Sequence, residues 1–268
     1  CLAPCKLGHG LAMLIAVFCP VPKNVQARKR FSANTTMTSP ASTPQQMDLL
    51  LPDTRPMRIN VEKGAMLLRA FATPRGTEFL QALEHVIKQA PFRHMHTPGG
   101  GCMSAAMTSC GTLGWVSSPQ GYAYTTQDPI SQQAWPTMPA CLLALAQSAA
   151  CAAGYDHFTP NACLLNRYQN GSHMGLHQDR DEHDTTQPIV SLSLGRSGLF
   201  LWGGPTRRDR VRTLTLEHGD VLVWGGPARL HYHGLKGLGP SAHPLTGWTR
   251  FNITFRHVAA PLHQHSRT

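Results

Sequence analysis

From residue 189 to residue 255 the chain is interrupted at short, regular intervals by glycine, and this spacing leaves room for strands but not for helices. Six segments alternate or run apolar: Ile189–Leu194, Leu199–Trp202, Val211–Leu216, Val221–Trp224, Leu230–His233 and Arg250–Phe255. Between them stand Gly195, Gly203–Gly204, Gly219–Asp220 and Gly225–Gly226. Short strands punctuated in this way predict a β-sandwich or jelly roll. No internal repeat is visible.

The half before it reads differently. Thr73 is placed to cap a helix with Pro74 at its first position, and Phe79, Leu83, Val86 and Ala90 recur at three- and four-residue spacing until Pro91 stops it. A second helix is expected from about Pro139 to Gly154. Residues 92–137, rich in Gly, Thr, Ser and Tyr, are expected to form hairpins and loops.

A chain of 268 residues can bury a full core without staples. No stretch approaches the roughly 18 to 20 apolar residues of a membrane span, the longest being Leu11–Cys19, so a soluble protein is expected. The formal charge is +10, but residues 1–46 hold five of the bases and no acids, which leaves +5 for the rest. That favours a polyanionic partner and serves solubility equally well. The eight cysteines include no C-x-x-C pair and leave an odd five in the body, an argument for reduced, mostly buried thiols in a cytoplasmic protein.

Residues 1–46, with a short apolar run, the basic pair Lys29–Arg30 and a Ser/Thr/Pro/Gln tract, cannot build a packed unit and are expected to be disordered. A targeting peptide is one reading. In-frame upstream sequence ahead of a start at Met47 is the preferred one.

His177 and Asp179 lie two apart in an extended-looking stretch and so face one side of a strand; His233 offers a third ligand. Two histidines and one carboxylate bind iron(II) on one face and leave positions open for oxygen and a cosubstrate. Alone, an H-x-D triplet in a chain with 15 histidines is weak evidence. His183, His218, His231 and His243 are expected to be surface or supporting residues.

The last segment adds weight. In Arg250–Arg256 the even positions are polar and the odd ones apolar, so both arginines, Asn252 and Thr254 share one face. Two guanidinium forks about 20 Å apart along an extended strand would converge, with help from barrel curvature, on a molecule acidic at both ends. On a solvated face the same arginines would mean nothing.

Asn166-Arg167-Tyr168, His177-Gln178-Asp179, His233 and Arg250-x-Asn252-x-x-x-Arg256 together resemble the AlkB family of DNA and RNA dealkylating dioxygenases. The resemblance runs from about Met47 to His257 through Thr97-Pro98-Gly99-Gly100, Leu113-Gly114-Trp115, Gln120-Gly121-Tyr122 and His218-Gly219-Asp220. It implies a mainly β fold with α elements (α+β): a double-stranded β-helix, or jelly roll, with two N-terminal helices and a hairpin-rich nucleotide-recognition lid. The lid and first helix would occupy 47–137 and the core 138–268, as one catalytic unit over 47–260.

The resemblance further implies that His177, Asp179 and His233 bind iron(II), and that Asn166, Tyr168, Arg250, Asn252 and Arg256 hold 2-oxoglutarate, Arg250 at the far carboxylate and Arg256 at the near one. Oxygen then splits between succinate and an N-methyl group, and the hydroxymethyl product releases formaldehyde. Trp115 would stack on an extruded base opposite His177, and Asp181 would favour a cationic base such as 1-methyladenine or 3-methylcytosine. Tyr122, Tyr124 and Arg207 are expected at the nucleic-acid backbone, and Met107 in lid packing. The expected partner is alkylated single- or double-stranded DNA, with RNA as a second class, no membrane, and a monomeric enzyme. Trp202 and Trp248 have no assigned role. The rivals are a 2-oxoglutarate hydroxylase of protein or RNA marks, which would not need Trp115, Tyr122, Tyr124 or Asp181, and a non-catalytic jelly roll holding zinc or nucleic acid, which would not need Arg250 and Arg256.

Overall fold

A computed structural model describes residues 57–259. The expectations placed on residues 1–46 lie outside these residues. The fourteen strands in this span are, in chain order, β1 (Arg58–Glu62), β2 (Ala65–Leu68), β3 (Arg93–His96), β4 (Cys102–Gly111), β5 (Gly114–Ser118), β6 (Gly121–Thr125), β7 (Ala162–Tyr168), β8 (Met174–His177), β9 (Ile189–Gly195), β10 (Gly198–Trp202), β11 (Arg212–Leu216), β12 (Val221–Trp224), β13 (His233–Leu238) and β14 (Arg250–Arg256). Two helices interrupt them, α1 (Gly76–Gln89) and α2 (Ala140–Ala152).

Eight strands form one sheet in the order β1-β2-β12-β9-β14-β7-β4-β3, four form a second in the order β11-β10-β13-β8, and β5-β6 stand as a separate hairpin. Every pairing between these strands is antiparallel. Strands from both sides of residue 137 share the larger sheet.

The two faces of that sheet have different covers. On one, Phe79, Leu83 and Val86 of α1 and Leu142, Leu145 and Ala149 of α2 pack against Leu165, Leu192, Ile253 and Phe255. On the other, Phe200 and Trp202 of the small sheet meet Ile189, Leu222 and Trp224. The strands between these covers are buried on both faces: all seven residues of β9 are buried, Ser191 and Ser193 included.

Several sequence expectations needed adjustment. Thr73 does not cap α1; it opens a 3-10 turn, Thr73–Arg75, and its hydroxyl donates to the His218 carbonyl at 3.1 Å. The helix begins at Gly76, where the His218 ring lies so close that a Cβ would collide with it. No strand forms over Leu230–His233. A 3-10 turn at Gly226–Ala228 is followed by further turning, and the strand starts only at His233. The thiols of Cys102, Cys110, Cys141, Cys151 and Cys163 are free as expected, yet only Cys110 and Cys163 are buried. Among the described residues no helix is long and apolar enough to cross a membrane.

Candidate active site

β8 ends at His177, so Asp179 lies just beyond the strand rather than two places along it. Even so, the chain brings both to His233. Antiparallel pairing sets His233 of β13 opposite His177 of β8. The close approach depends on Gly234, where a Cβ would come within 2.6 Å of the Met174 carbonyl oxygen. The ligating atoms of His177, Asp179 and His233 all lie within 4.8 Å of one another.

The hydrogen bonds around these residues decide which atoms remain free. His177 Nδ1 meets the Gly175 carbonyl oxygen at 2.9 Å, and His233 Nδ1 meets that of His231 at 3.0 Å. Carbonyls only accept, so each Nδ1 carries the proton and each Nε2 keeps its lone pair. Those Nε2 atoms face Asp179, His177 at 3.6 Å from Oδ1 and His233 at 3.8 Å from Oδ2. Arg256 donates to Oδ2 twice, at 2.6 and 2.9 Å. Burial tends to raise the Asp179 carboxyl, but the Arg256 charge, with His233 and His177 behind it, holds it well below the usual carboxylate range. Burial, then His177, bring His233 down to about 4, so its ring is neutral at pH 7. Two imidazole nitrogens and an ionised carboxylate form a donor set suited to a divalent metal.

Beside the triad opens a cavity of about 610 Å³. Arg250, Asn252, Thr254 and Arg256, the polar face of β14, line it, while Ile253 and Phe255 on the other face are fully buried in the helical core. Arg250 is 1% exposed. It donates to Ser193 Oγ at 2.8 Å and to the carbonyls of Arg196 and Leu216, while its Nε has no partner. Gly198 makes room for this side chain, since a Cβ there would stand 2.7 Å from Arg250 Nε. Burial lowers Arg250 to about 10, which leaves it charged at neutral pH, and among the described residues no carboxylate pairs with it.

Asn166 adds a buried amide oxygen without a partner, and Tyr168, pushed up to about 12 by burial, keeps its phenol protonated in the same wall. An amide can turn end for end, so Asn166 can offer a donor. Asn252 is less free, since its amide nitrogen already donates to Ser191 Oγ and the Leu192 carbonyl. A buried charge and unpaired polar atoms around one cavity fit an anionic cosubstrate. Arg256, expected at the near carboxylate, also pairs with the chain's own Asp179.

Of the other residues singled out in the sequence, Trp115, Tyr122, Met107, Asp181 and Arg207 all line the cavity. Trp115 and Tyr122 stack, 5.4 Å between centroids and 22° between planes. Arg207 donates to the Leu176 carbonyl at 2.8 Å and lies over the Tyr232 ring. Tyr124 does not line the cavity; its hydroxyl is turned onto Glu182 at 2.7 Å. Sequence reasoning passed over Glu182, Arg229 and Trp224. Glu182 and Arg229 form a buried ion pair at 3.0 Å, and Trp224 lies edge-on to His233. The acidic run Asp179–Glu182 was the available signal for the first.

Comparison with known proteins then decides the family. The 2OG-Fe(II) oxygenase superfamily model matches residues 64–256, the span holding the triad and the cavity. The alpha-ketoglutarate-dependent dioxygenase AlkB of Escherichia coli (strain K12) is 49% identical over 207 residues, 77% of this chain and 96% of that protein. The chain is an AlkB-family dioxygenase. The enzyme of the same name from Salmonella typhimurium is 46% identical over 210 residues, 78% of this chain and 97% of its own length. Among solved structures, that of OsALKBH1 superposes with a TM-score of 0.65 at 26% identity, covering 75% of this chain and 99% of its own. This AlkB-family enzyme thus uses iron(II), 2-oxoglutarate (alpha-ketoglutarate) and O2, and the donor set and cavity just described fit the first two.

Proposed function

We propose that this enzyme oxidatively removes alkyl groups from nucleobase nitrogens, with 1-methyladenine and 3-methylcytosine in DNA as its principal substrates and RNA as a second class. The observation that carries the reading is the stacked Trp115–Tyr122 pair over the cavity that also holds His177 and Asp181. A flat, cationic ring is what an aromatic face beside a carboxylate selects. A peptide side chain would have little use for such a slot.

On this reading His177 Nε2, His233 Nε2 and Asp179 hold the iron, and Arg250, Asn166, Tyr168, Asn252 and Arg256 hold 2-oxoglutarate. Together the bound metal and cosubstrate activate O2 to oxidise the N-methyl C–H bond. The chain's own residues supply the positioning. The two backbone carbonyls fix the histidine tautomers, Arg256 keeps the Asp179 carboxylate ionised and aimed, and Arg250 offers a desolvated charge to one end of a dicarboxylate. The aromatic pair holds the extruded base flat.

The two facing sheets are read as a double-stranded β-helix and the β5–β6 hairpin as the nucleotide-recognition lid. The protein is proposed to act as a monomer in the cytoplasm.

The test is turnover of an oligonucleotide carrying one 1-methyladenine, reconstituted anaerobically and started with O2, following formaldehyde and loss of methyl mass. Demethylation that needs iron(II) and 2-oxoglutarate and disappears in His177→Ala supports the reading. Succinate formed without demethylation moves the substrate elsewhere.

A further inference from the structure

Tyr124 stands directly across the β5–β6 hairpin from Trp115, so the two side chains share a face with Tyr122. Trp115 and Tyr122 line the cavity. Tyr124 bonds to Glu182, a carboxylate 2% exposed, three residues beyond Asp179 and itself part of the cavity wall. There the contacts converge. Glu182 Oε1 accepts from the Tyr124 hydroxyl at 2.7 Å and faces Arg256 Nε at 3.4 Å, while Oε2 accepts from Arg229 at 3.0 Å. Arg229 in turn donates to the Asp179 carbonyl and, at 3.0 Å, to that of Gln187. Arg256 grips the Asp179 carboxylate itself. One buried carboxylate therefore joins the hairpin, both arginines that position Asp179, and the loop from 179 to 187.

We infer that the Tyr124–Glu182 contact is the latch that seats the hairpin on the metal-bearing loop, making Tyr124 and Glu182 positioning residues for substrate rather than contacts to it. The chemistry favours such a role. A carboxylate buried this deeply must have its lone pairs satisfied, and Arg229 with Arg256 covers only part of that need. The tyrosine hydroxyl supplies the remaining donor only when the hairpin is seated, so burial of Glu182 and closure of the hairpin favour each other. Burial, then the acidic neighbours against the opposing charge of Arg256, raise the Tyr124 phenol well above its ordinary value, which keeps it a donor at any working pH. Among the described residues, the other side-chain ties between this hairpin and the rest of the protein run elsewhere: Ser117 donates to the His96 carbonyl, Ser109 to the Trp115 carbonyl and Trp135 to the Thr125 carbonyl. None reaches the metal loop.

The experiment uses the full chain and Tyr124→Phe, which removes the hydroxyl and keeps the ring. Hydrogen exchange of residues 114–125 in the protein alone should rise about tenfold, the factor that one lost hydrogen bond to a charged group represents. With iron(II) and 2-oxoglutarate supplied, KM for the 1-methyladenine oligonucleotide should rise by a similar factor. kcat, and the affinity for 2-oxoglutarate measured anaerobically, should stay within about twofold. In a Glu182→Gln background the same tyrosine change should have less effect on KM, because the two share one contact. Unchanged exchange in Tyr124→Phe overturns the latch, as does a KM effect of full size in both backgrounds. The kinetic arm rests on the nucleobase reading above, and the exchange arm does not. If the wild-type protein leaves the oligonucleotide untouched, exchange alone still decides the latch.

Discussion

His233 shows how much one residue's surroundings determine. It lies between Trp224, edge-on at 5.0 Å, and Phe200, stacked at 5.9 Å, and its Nδ1 proton is committed to a backbone carbonyl. Burial and the neighbouring His177 bring it from 6.5 to about 4. A folded-state pKa below the unfolded one means that the unfolded chain binds more protons, so stability must fall as acid is added across that interval. The metal-free protein should therefore lose urea resistance from about pH 6.5 down to about pH 4, and His233→Gln should flatten the slope there. Equal slopes in the two proteins would show that the imidazole is not held neutral by its site. Asp179, depressed by Arg256, adds its own loss as the pH falls from the ordinary carboxylate value of 3.8 downward.

At the scale of elements, β14 was the most legible part of the sequence, because its two faces meet different environments and period-two alternation records that. Its odd face is core: Phe255 is fully buried among α1, α2 and β9 residues. Phe255→Ala should cost about 3–5 kcal/mol in urea unfolding, and a cost under about 1 kcal/mol would contradict the assignment of faces. β7 was not legible for the opposite reason. Ala162–Tyr168 is buried on both faces, against the helices on one and the cavity on the other, so nothing alternates. β1 and β2 are short, and the place of β2 beside β12 is set by pairing more than 150 residues away in sequence. The start of β13 was misplaced because Gly225-Gly226-Pro227 and the buried Arg229 hold the preceding residues in a turn that hydropathy alone does not reveal.

Over the whole molecule, the members of the His–Asp–His triad and much of the cavity lining were legible in the sequence, because each is marked by residue chemistry in a linked order. The sequence did not carry which contacts the chain makes with itself. Arg256 bound to Asp179, and Tyr124 bound to Glu182 across 58 residues, depend on how the hairpin and the metal loop are brought together by the two sheets. The proposal joins both levels: His177 of β8, Asp179 just beyond it and His233 of β13 would hold iron, and the polar face of β14 beside them would hold 2-oxoglutarate. Its most direct test is an anaerobic titration of the iron(II)-loaded protein with 2-oxoglutarate, read by the visible charge-transfer absorption of the chelated metal. The band should grow saturably in the wild type and not at all in Asp179→Ala. In Arg250→Lys the curve should shift about 30-fold to higher concentration, the equivalent of about 2 kcal/mol for a lost charged hydrogen bond. A wild-type protein that binds iron yet shows no band at saturating 2-oxoglutarate, or an Arg250→Lys curve that overlays the wild type, would contradict it.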